Sequence, residues 1–135
     1  LIGQCKVLDL TKIENKITKT DLESFDIQKD DIILLKTKNS NLNPNEKFDP
    51  NFVYLDKSGA QFLADKKIKS VGIDYLGIER NQPKHETHKI LLENNILIIE
   101  GLRLKKAINT QYIFYCLPIL MDNLDAAPAR AILIK

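Results

Sequence analysis

The sequence predicts a single mixed α/β domain spanning residues 1–135, and three observations point to this fold class. Short apolar runs bounded by turn residues recur along the chain, which is typical of buried strands. Amphipathic segments of helical length lie between several of these runs. Apolar residues make up 44% and charged residues 28% of the chain, a balance that suits one core with a charged surface. The predicted core strands are Ile32–Leu35, Val71–Ile73, Ile96–Ile99, Ile113–Leu117 and Ala131–Ile134.

The first 50 residues contain two predicted strands, one predicted helix and a long loop. Residues 5–10 form an apolar run that is typical of a strand. Thr20 and Glu23 have the spacing of a capping box and predict the start of a helix. Ile32–Thr37 is mostly apolar, as expected of a strand that is buried on both faces of a sheet. Lys38–Pro50 is rich in Asn, Pro, Lys and Ser and predicts a polar loop, and loops of this length are often functional.

The middle of the chain predicts a helix, a strand and a second helix. Leu55–Lys66 places its apolar residues near one helical face. Ser70–Asp74 reads as a short buried strand, and Thr87–Glu93 as a short helix that follows a polar loop. We expect Leu91 and Leu92 of this second helix to pack inward.

The last part of the chain predicts three strands and one turn. Asn95–Ile99 is an apolar run that ends abruptly at Glu100. A short turn or helix is expected over Leu102–Ala107, followed by the strand Tyr112–Pro118 and the last strand Ala129–Ile134. Strands that alternate with short helices favour a mixed α/β sheet.

The composition argues against several classes of partner. The formal net charge is +2 and the lysines are scattered, so we expect no nucleic-acid binding. The longest apolar runs, such as Ile113–Met121, are far shorter than the roughly 20 residues of a membrane span. Leu1–Gln4 lacks the charged and apolar regions of a signal peptide. We therefore expect a cytoplasmic protein in which Cys5 and Cys116 stay reduced, with a disulfide between them as the alternative.

The histidines suggest a candidate metal site. The chain has only two, His85 and His88, and Glu100 follows His88 by twelve residues. A helix that runs antiparallel to the next strand brings its first turn beside the last residue of that strand. Eight helical residues rise about 12 Å and a five-residue strand covers a similar length, so the two side chains can meet. An imidazole nitrogen and a carboxylate oxygen suit zinc or manganese. The alternative is a histidine that caps the helix and a solvated glutamate.

Three further polar residues each have two interpretations. His85 is expected to be a surface histidine at a loop end, and only an earlier helix start would place it on the face of His88. Asp74 ends a strand, where ligands gather in α/β folds. An Asp there more often caps the next turn or supports a ligand by a hydrogen bond, and we favour that interpretation. Arg130 suits a substrate anion, with an ion pair to Asp125 as the more common arrangement.

Five segments of the chain match, in order, the motifs of a known enzyme family. The segments are Asp31–Thr37, Phe48–Phe52 followed by Leu55–Leu63, Val71–Asp74, His88–Leu92 through Ile99–Leu102, and Leu117–Pro118 with Asp125–Arg130. Together they resemble the metal-dependent cyclase and kynurenine formamidase family of amidohydrolases. The resemblance covers nearly the whole chain and implies the swivelling β/β/α fold of that family.

The resemblance also implies a site and a function. His88 stands where the family has the metal-binding histidine of a His-Arg-x-Leu-Leu element. Glu100 stands where it has the metal-binding glutamate of an Ile-Glu-x-Leu element. We therefore expect a Zn²⁺ or Mn²⁺ cofactor and a hydrolase that cleaves a small amide, formamide, lactam or ester with a metal-activated water. The expected partners are a small-molecule substrate and further copies of the chain, in a dimer or a tetramer.

Two departures from the family pattern bear on activity. The His-x-Gly-Thr-His-x-Asp motif, which supplies three more ligands and the catalytic base, is not found in residues 1–135. We therefore expect no catalytic residue among them, and the chain alone to be inactive. Lys36-Thr37-Lys38 stands where the family has Arg-Thr-Gly. The chain thus resembles the carboxy-terminal two-thirds of such an enzyme. The competing hypothesis is a non-catalytic remnant of the fold that serves as a binding or assembly module.

Overall fold

A computed structural model describes residues 1–43 and 47–135, so residues 44–46 of the predicted loop Lys38–Pro50 lie outside the described part. The strands are β1 (Ile2–Asp9), β2 (Lys16–Ile17), β3 (Ile32–Lys36), β4 (Tyr54–Leu55), β5 (Ser70–Ile73), β6 (Leu97–Ile99), β7 (Gln111–Pro118) and β8 (Ala129–Ile134). The helices are α1 (Lys19–Leu22), α2 (Lys57–Asp65) and α3 (Glu86–Glu93), and a 3-10 helix covers Lys38–Asn41. The predicted mixed α/β class is confirmed.

Six strands form the main sheet, in the order β6-β5-β3-β1-β7-β8. β6, β5, β3 and β1 are parallel, whereas β7 is antiparallel to β1 and β8 is antiparallel to β7. β3 lies inside the parallel half, and Ile32–Leu35 of this strand are all at most 1% exposed. Burial on both faces explains why this strand is a continuous apolar run instead of an alternating one. β2 and β4 form a separate parallel pair.

The helices cover one face of the parallel half. Leu22 of α1, Leu63 of α2 and Leu91 of α3 are fully buried against inward-facing strand residues such as Ile33 and Ile73. These side chains belong to one continuous apolar cluster. The connections between parallel strands therefore supply the layer that buries this face.

The opposite face of the sheet has a smaller core and a thinner cover. Leu102 and Leu104 lie in the segment after β6 and pack in one cluster with Leu34 of β3 and Phe114 of β7. Gly72 of β5 allows this packing, because a Cβ at its position would lie 2.6 Å from Leu102 Cδ1 and 2.9 Å from Leu34 Cδ2. Leu102, in the segment after β6, can therefore pack against β5 only because residue 72 has no side chain.

Several element boundaries differ from the prediction because of local hydrogen bonds. The predicted capping box of Thr20 and Glu23 is wrong: Thr18 is the N-cap of α1, and its N–H donates to Asp21 Oδ2 at 2.7 Å. Helix α2 begins after its N-cap Asp56, whose Oδ1 accepts the N–H groups of Ser58 and Gly59 at 2.8 and 3.0 Å. Leu55 itself belongs to β4 and pairs with β2.

The outer strands are less buried than expected. β7 and β8 are strands at the predicted places, but β8 contains no buried residue and β7 buries only Phe114 and Cys116. The reason is that no helix among residues 1–43 and 47–135 covers this end of the sheet on the helical side.

The two leucines of α3 that were predicted to pack inward differ in burial. Leu91 is fully buried as predicted, whereas the prediction for Leu92 is wrong, because Leu92 is 58% exposed.

Two further expectations concern the cysteines and the membrane. Cys5 and Cys116 are both buried and form no disulfide, as favoured from the sequence. Burial raises the pKa of the Cys5 thiol to about 11, which keeps it protonated and unreactive at neutral pH. Among the described residues no helix is long and apolar enough to cross a lipid bilayer.

Candidate metal centre

His88 lies in the first turn of α3, which is anchored to β4 by a buried threonine. The Thr87 side chain is fully buried and its Oγ1 donates to the carbonyl oxygen of Leu55 at 2.9 Å. Gln82 Nε2 donates in turn to Thr87 Oγ1 at 2.8 Å. His85, the N-cap residue, has a left-handed backbone with φ of 52°. The start of the helix, and with it the backbone of His88, is therefore fixed on the edge of β4.

Glu100 follows β6 directly and points back toward α3. Its Oε1 accepts the N–H of Ile78 at 2.7 Å and lies 3.5 Å from His88 Nε2. The next residue, Gly101, has φ of 74°, a left-handed conformation that glycine adopts without strain. The structure thus brings together the two side chains that the sequence singled out, each about one-third exposed.

A second carboxylate, Glu79, contacts the other side of the same imidazole. Glu79 Oε1 lies 2.7 Å from His85 Nδ1 and 3.0 Å from His88 Nδ1, and Glu79 Oε2 accepts the backbone N–H of His88 at 3.2 Å. The Glu79 side chain is only 6% exposed. Burial alone raises the pKa of this carboxyl, but the contacts with His88 and His85 outweigh burial and lower it below its ordinary value.

Sequence reasoning missed Glu79 because it lies in a loop and no spacing rule connects it to His88. Only the conformation of residues 74–79 brings the two together. The available signal was an acidic residue shortly after a predicted strand and nine positions before a candidate ligand. His85 is solvent-exposed at the loop end, as expected, with a side chain that is 74% exposed, yet it contacts the buried Glu79.

The donor atoms allow two different cation sites that share His88. In the first, His88 Nε2 faces Glu100 Oε1 at 3.5 Å, a separation that one ion can span because zinc bonds are only about 2 Å long. In the second, atoms of Glu79, His85 and His88 lie within 4.8 Å of one another. In this second group the ring atoms that contact Glu79 Oε1 are Nδ1 of His85, at 2.7 Å, and Nδ1 of His88, at 3.0 Å. The two sites therefore use opposite nitrogens of the His88 ring.

An open cavity of about 1290 Å³ adjoins the His88–Glu100 pair. Its walls include apolar side chains from the thinly covered face of the sheet, among them Leu102 and Phe114.

Arg130 borders the same cavity from β8. Its pairing partner is Leu117, so its side chain starts on the sheet face opposite to Phe114. Arg130 is exposed, and the ion pairs among the described residues do not include the predicted one with Asp125, so that prediction is wrong. Its role as a substrate-binding residue remains a prediction.

Asp74 occupies a different place and has its own partners. Asp74 is buried, with 2% of its surface exposed. Its carboxylate accepts hydrogen bonds from the N–H and the Oγ1 of Thr37, both at 2.8 Å, and from the N–H of Ser40 at 3.1 Å. Burial raises the pKa of Asp74 above its ordinary value, and the hydrogen bonds from Ser40 and Thr37 offset only part of this increase. The carboxylate thereby fixes the turn after β3. The predicted cap of the turn that follows Asp74 itself is wrong, because the donors come from Thr37 and Ser40.

The chain is similar to proteins described as cyclases, formamidases and hydrolases. It is 35% identical to "Cyclase-like protein 3" of Oryza sativa subsp. japonica, in an alignment that covers 100% of this chain and 52% of that protein. It is 28% identical to a kynurenine formamidase of Bacillus cereus, over 98% of the chain and 62% of that enzyme. A solved structure of a potential metal-dependent hydrolase with cyclase activity superposes with a TM-score of 0.94 at 46% identity, over 98% of the chain and 65% of that structure.

The chain therefore spans between one-half and two-thirds of the length of these relatives. Residues 1–80 match the family model described as "Putative cyclase", which is more than half of the chain. The likeness to the solved structure covers 98% of the chain and therefore extends well beyond residue 80. On this evidence the chain belongs to the cyclase family.

Proposed function

We propose that the chain is part of a metal-dependent hydrolase in which His88 and Glu100 are two ligands of a divalent ion, Zn²⁺ or Mn²⁺. The observation that carries this proposal is the 3.5 Å separation of His88 Nε2 and Glu100 Oε1 beside the cavity. The similarity to a kynurenine formamidase and to a structure described as a metal-dependent hydrolase supports it.

The two side chains fit such an ion in chemistry and in orientation. A neutral imidazole nitrogen and a carboxylate oxygen are ligands that both zinc and manganese accept. The N–H of Ile78 holds Glu100 Oε1, so the carboxylate does not have to be ordered by the ion. Because stable zinc sites normally have three or four protein ligands, this pair alone holds the ion weakly. We place the remaining ligands and the general base in the part of the relatives that the chain does not match.

The proposed reaction is hydrolysis of a small amide, formamide, lactam or ester. A bound ion would polarise the scissile carbonyl and lower the pKa of a water toward about 7. His88 must keep a free electron pair on Nε2, so metal binding should weaken when the ring is protonated at low pH. Glu100 supplies negative charge that balances the cation. The apolar walls formed by Leu102 and Phe114 suit the carbon skeleton of a small organic substrate and exclude water around it.

We also propose a homo-oligomer, a dimer or a tetramer, with a cytoplasmic location. Four apolar residues of the β7–β8 hairpin are between 45% and 52% exposed: Ile113, Leu117, Ile132 and Ile134. Opposite residues of antiparallel strands point to the same face, so these side chains share the helical side of the sheet, at the end that no helix of the described residues covers. Contiguous exposed apolar surface of this kind often marks a protein–protein interface.

The test is elemental analysis and hydrolysis by the full-length protein that contains this chain. His88→Ala and Glu100→Ala should each reduce the metal content and abolish hydrolysis of an aryl formamide, a lactam and an aryl ester. His85→Ala is the matched control on the same loop and helix, and it should keep both the metal and the activity. Wild-type protein that takes up neither Zn²⁺ nor Mn²⁺ would contradict the proposal and favour a non-catalytic binding module.

A further inference from the structure

Two adjacent residues, Ile78 and Glu79, contact both candidate ligands. The N–H of Ile78 donates to Glu100 Oε1 at 2.7 Å. The Glu79 carboxylate reaches the ring of His88 through Oε1 and the backbone N–H of His88 through Oε2. One dipeptide of the loop after β5 therefore touches the Glu100 side chain and both the side chain and the backbone of His88.

We propose that Glu79 is a positioning residue, which fixes the tautomer and the orientation of His88 so that Nε2 is free to face Glu100. This inference rests on the proposed function, since it assigns a role to Glu79 only if His88 is a ligand. Histidines that bind metals usually donate the other ring N–H to a carboxylate or a carbonyl, which selects the tautomer and makes the ring more basic.

The surroundings of His88 Nδ1 carry the argument. This atom is buried and has no aligned hydrogen bond, yet Glu79 Oε1 lies only 3.0 Å away. A buried polar atom without a partner is costly, so the nearest acceptor is the expected partner after a small rotation of the ring or the carboxylate. With the proton on Nδ1, the free electron pair of a neutral imidazole lies on Nε2. That is the nitrogen 3.5 Å from Glu100 Oε1.

The loop that carries Glu79 is held in place independently of the histidines. Ile78 is fully buried, and its carbonyl oxygen accepts the N–H of Leu55 at 2.9 Å. The Glu79 side chain is 6% exposed and is shared with His85, whose Nδ1 lies 2.7 Å from the same oxygen. Glu79 is thus a buried carboxylate on an anchored backbone, which is what a rigid orienting group requires.

The competing arrangement is an ion held by Glu79, His85 and His88 through the Nδ1 atoms of both rings. In that arrangement His85 would be a ligand, and Nε2 of His88 would not bind the metal. We favour the positioning role because Oε2 of Glu79 already binds the backbone of His88 and because the His85 side chain is 74% exposed. The two arrangements differ in what the loss of His85 should do.

The experiment compares Glu79→Ala, Glu79→Asp and His85→Ala in the full-length protein. The Zn²⁺ dissociation constant is measured by competition with a chelator, and ¹⁵N NMR of labelled histidines reports the tautomer of His88 in the metal-free protein. Glu79→Ala should raise the dissociation constant about 10- to 100-fold. It should also move the His88 proton from Nδ1 to Nε2. Glu79→Asp, which keeps the carboxylate, should restore part of the affinity, and His85→Ala should change neither measurement.

Unfolding curves of the metal-free variants separate positioning from folding, and Glu79→Gln replaces Glu79→Ala if the latter does not fold. An unchanged tautomer and affinity in the Glu79 variants would overturn the inference. A loss of affinity in His85→Ala as large as that in Glu79→Ala would overturn it in favour of the site built from Nδ1 atoms. Metal retained by both His88→Ala and Glu100→Ala would instead refute the proposed function itself.

Discussion

At the residue scale, Asp74 shows how a polar group at a strand end serves the structure. Its carboxylate accepts hydrogen bonds from the backbone and side chains of Thr37 and Ser40 on the turn after β3. The sequence indicated both a ligand and a capping role for an Asp at this position. Neither interpretation pointed to the turn after β3, because the four donors come from residues more than 30 positions earlier.

Asp74→Asn should destabilise the fold without affecting metal binding. An amide presents one oxygen and an NH₂ group, so at least one buried N–H or O–H donor loses its acceptor. The expected loss in the free energy of unfolding is about 1–3 kcal/mol. Urea unfolding measures this loss and elemental analysis measures the metal content. A variant of wild-type stability that loses its metal would show that Asp74 acts at the metal centre instead.

Asp56, the N-cap of α2, gives a prediction with a pH dependence. Burial raises the pKa of its carboxyl, but hydrogen bonds from Ser58 and Gly59 and the contact with Lys16 outweigh burial and lower it. A folded-state pKa below the unfolded value means that the carboxylate stabilises the fold above its unfolded pKa. This contribution is lost as the pH falls through the lowered pKa.

Asp56→Ala should therefore reduce the free energy of unfolding at pH 7 by about 0.5–2 kcal/mol. The difference from wild type should shrink when the measurement is repeated in acid. Asp65→Ala, at the exposed end of the same helix, is the control and should have little effect at either pH. A difference that stays constant down to strongly acidic pH would contradict the assigned role of the carboxylate.

At the scale of elements, α3 tests how a short helix is held against the sheet. Leu91→Ala should cost about 2–5 kcal/mol in the free energy of unfolding, because the side chain is fully buried in the core beneath α3. Leu92→Ala is a matched control on the neighbouring position, where the residue is 58% exposed, and should cost much less. Equal losses in the two variants, measured by urea unfolding, would mean that the helix packs with a different face.

Strand and helix types were predictable where apolar periodicity was strong, and boundaries were not. The run Ile32–Leu35 indicated a doubly buried strand, and β3 is one. The two-residue strands β2 and β4 are too short to produce a periodic pattern in the sequence. Leu55, which was predicted to begin a helix, belongs to β4. The pair His88 and Glu100 was found because helix and strand lengths allow the two side chains to meet and because both residues match ligand positions of the family. Glu79 was not found because a loop conformation has no comparable rule.

At the scale of the whole molecule, the sheet is buried at one end and open at the other. The parallel half is covered by α1, α2 and α3, whereas the β7–β8 hairpin has no such cover among the described residues. The apolar runs in β7 and β8 indicated strands but did not indicate whether their outer face meets a helix, a second chain or solvent. Side-chain pattern alone cannot distinguish these cases.

The exposed hairpin leads to a prediction about association. Ile132→Lys places a charge at the centre of the apolar face, opposite Tyr115, and should shift the full-length protein toward smaller species in sedimentation velocity. Leu42→Lys is the control, since Leu42 is a partly exposed apolar residue that follows the 3-10 helix, outside the hairpin. Identical sedimentation of wild type and Ile132→Lys would show that this face is not the interface.

Leu55 links the two halves of the candidate centre through its backbone. The Leu55 N–H donates to the Ile78 carbonyl oxygen and so holds the loop that carries Glu79. The Leu55 carbonyl oxygen accepts from the Thr87 hydroxyl and so holds the helix that carries His88. Any fluctuation that exposes the Leu55 amide to solvent must separate the loop from β4. The deuterium uptake of this single amide therefore reports how often the candidate centre comes apart in the native state, without any substitution in the candidate ligands themselves.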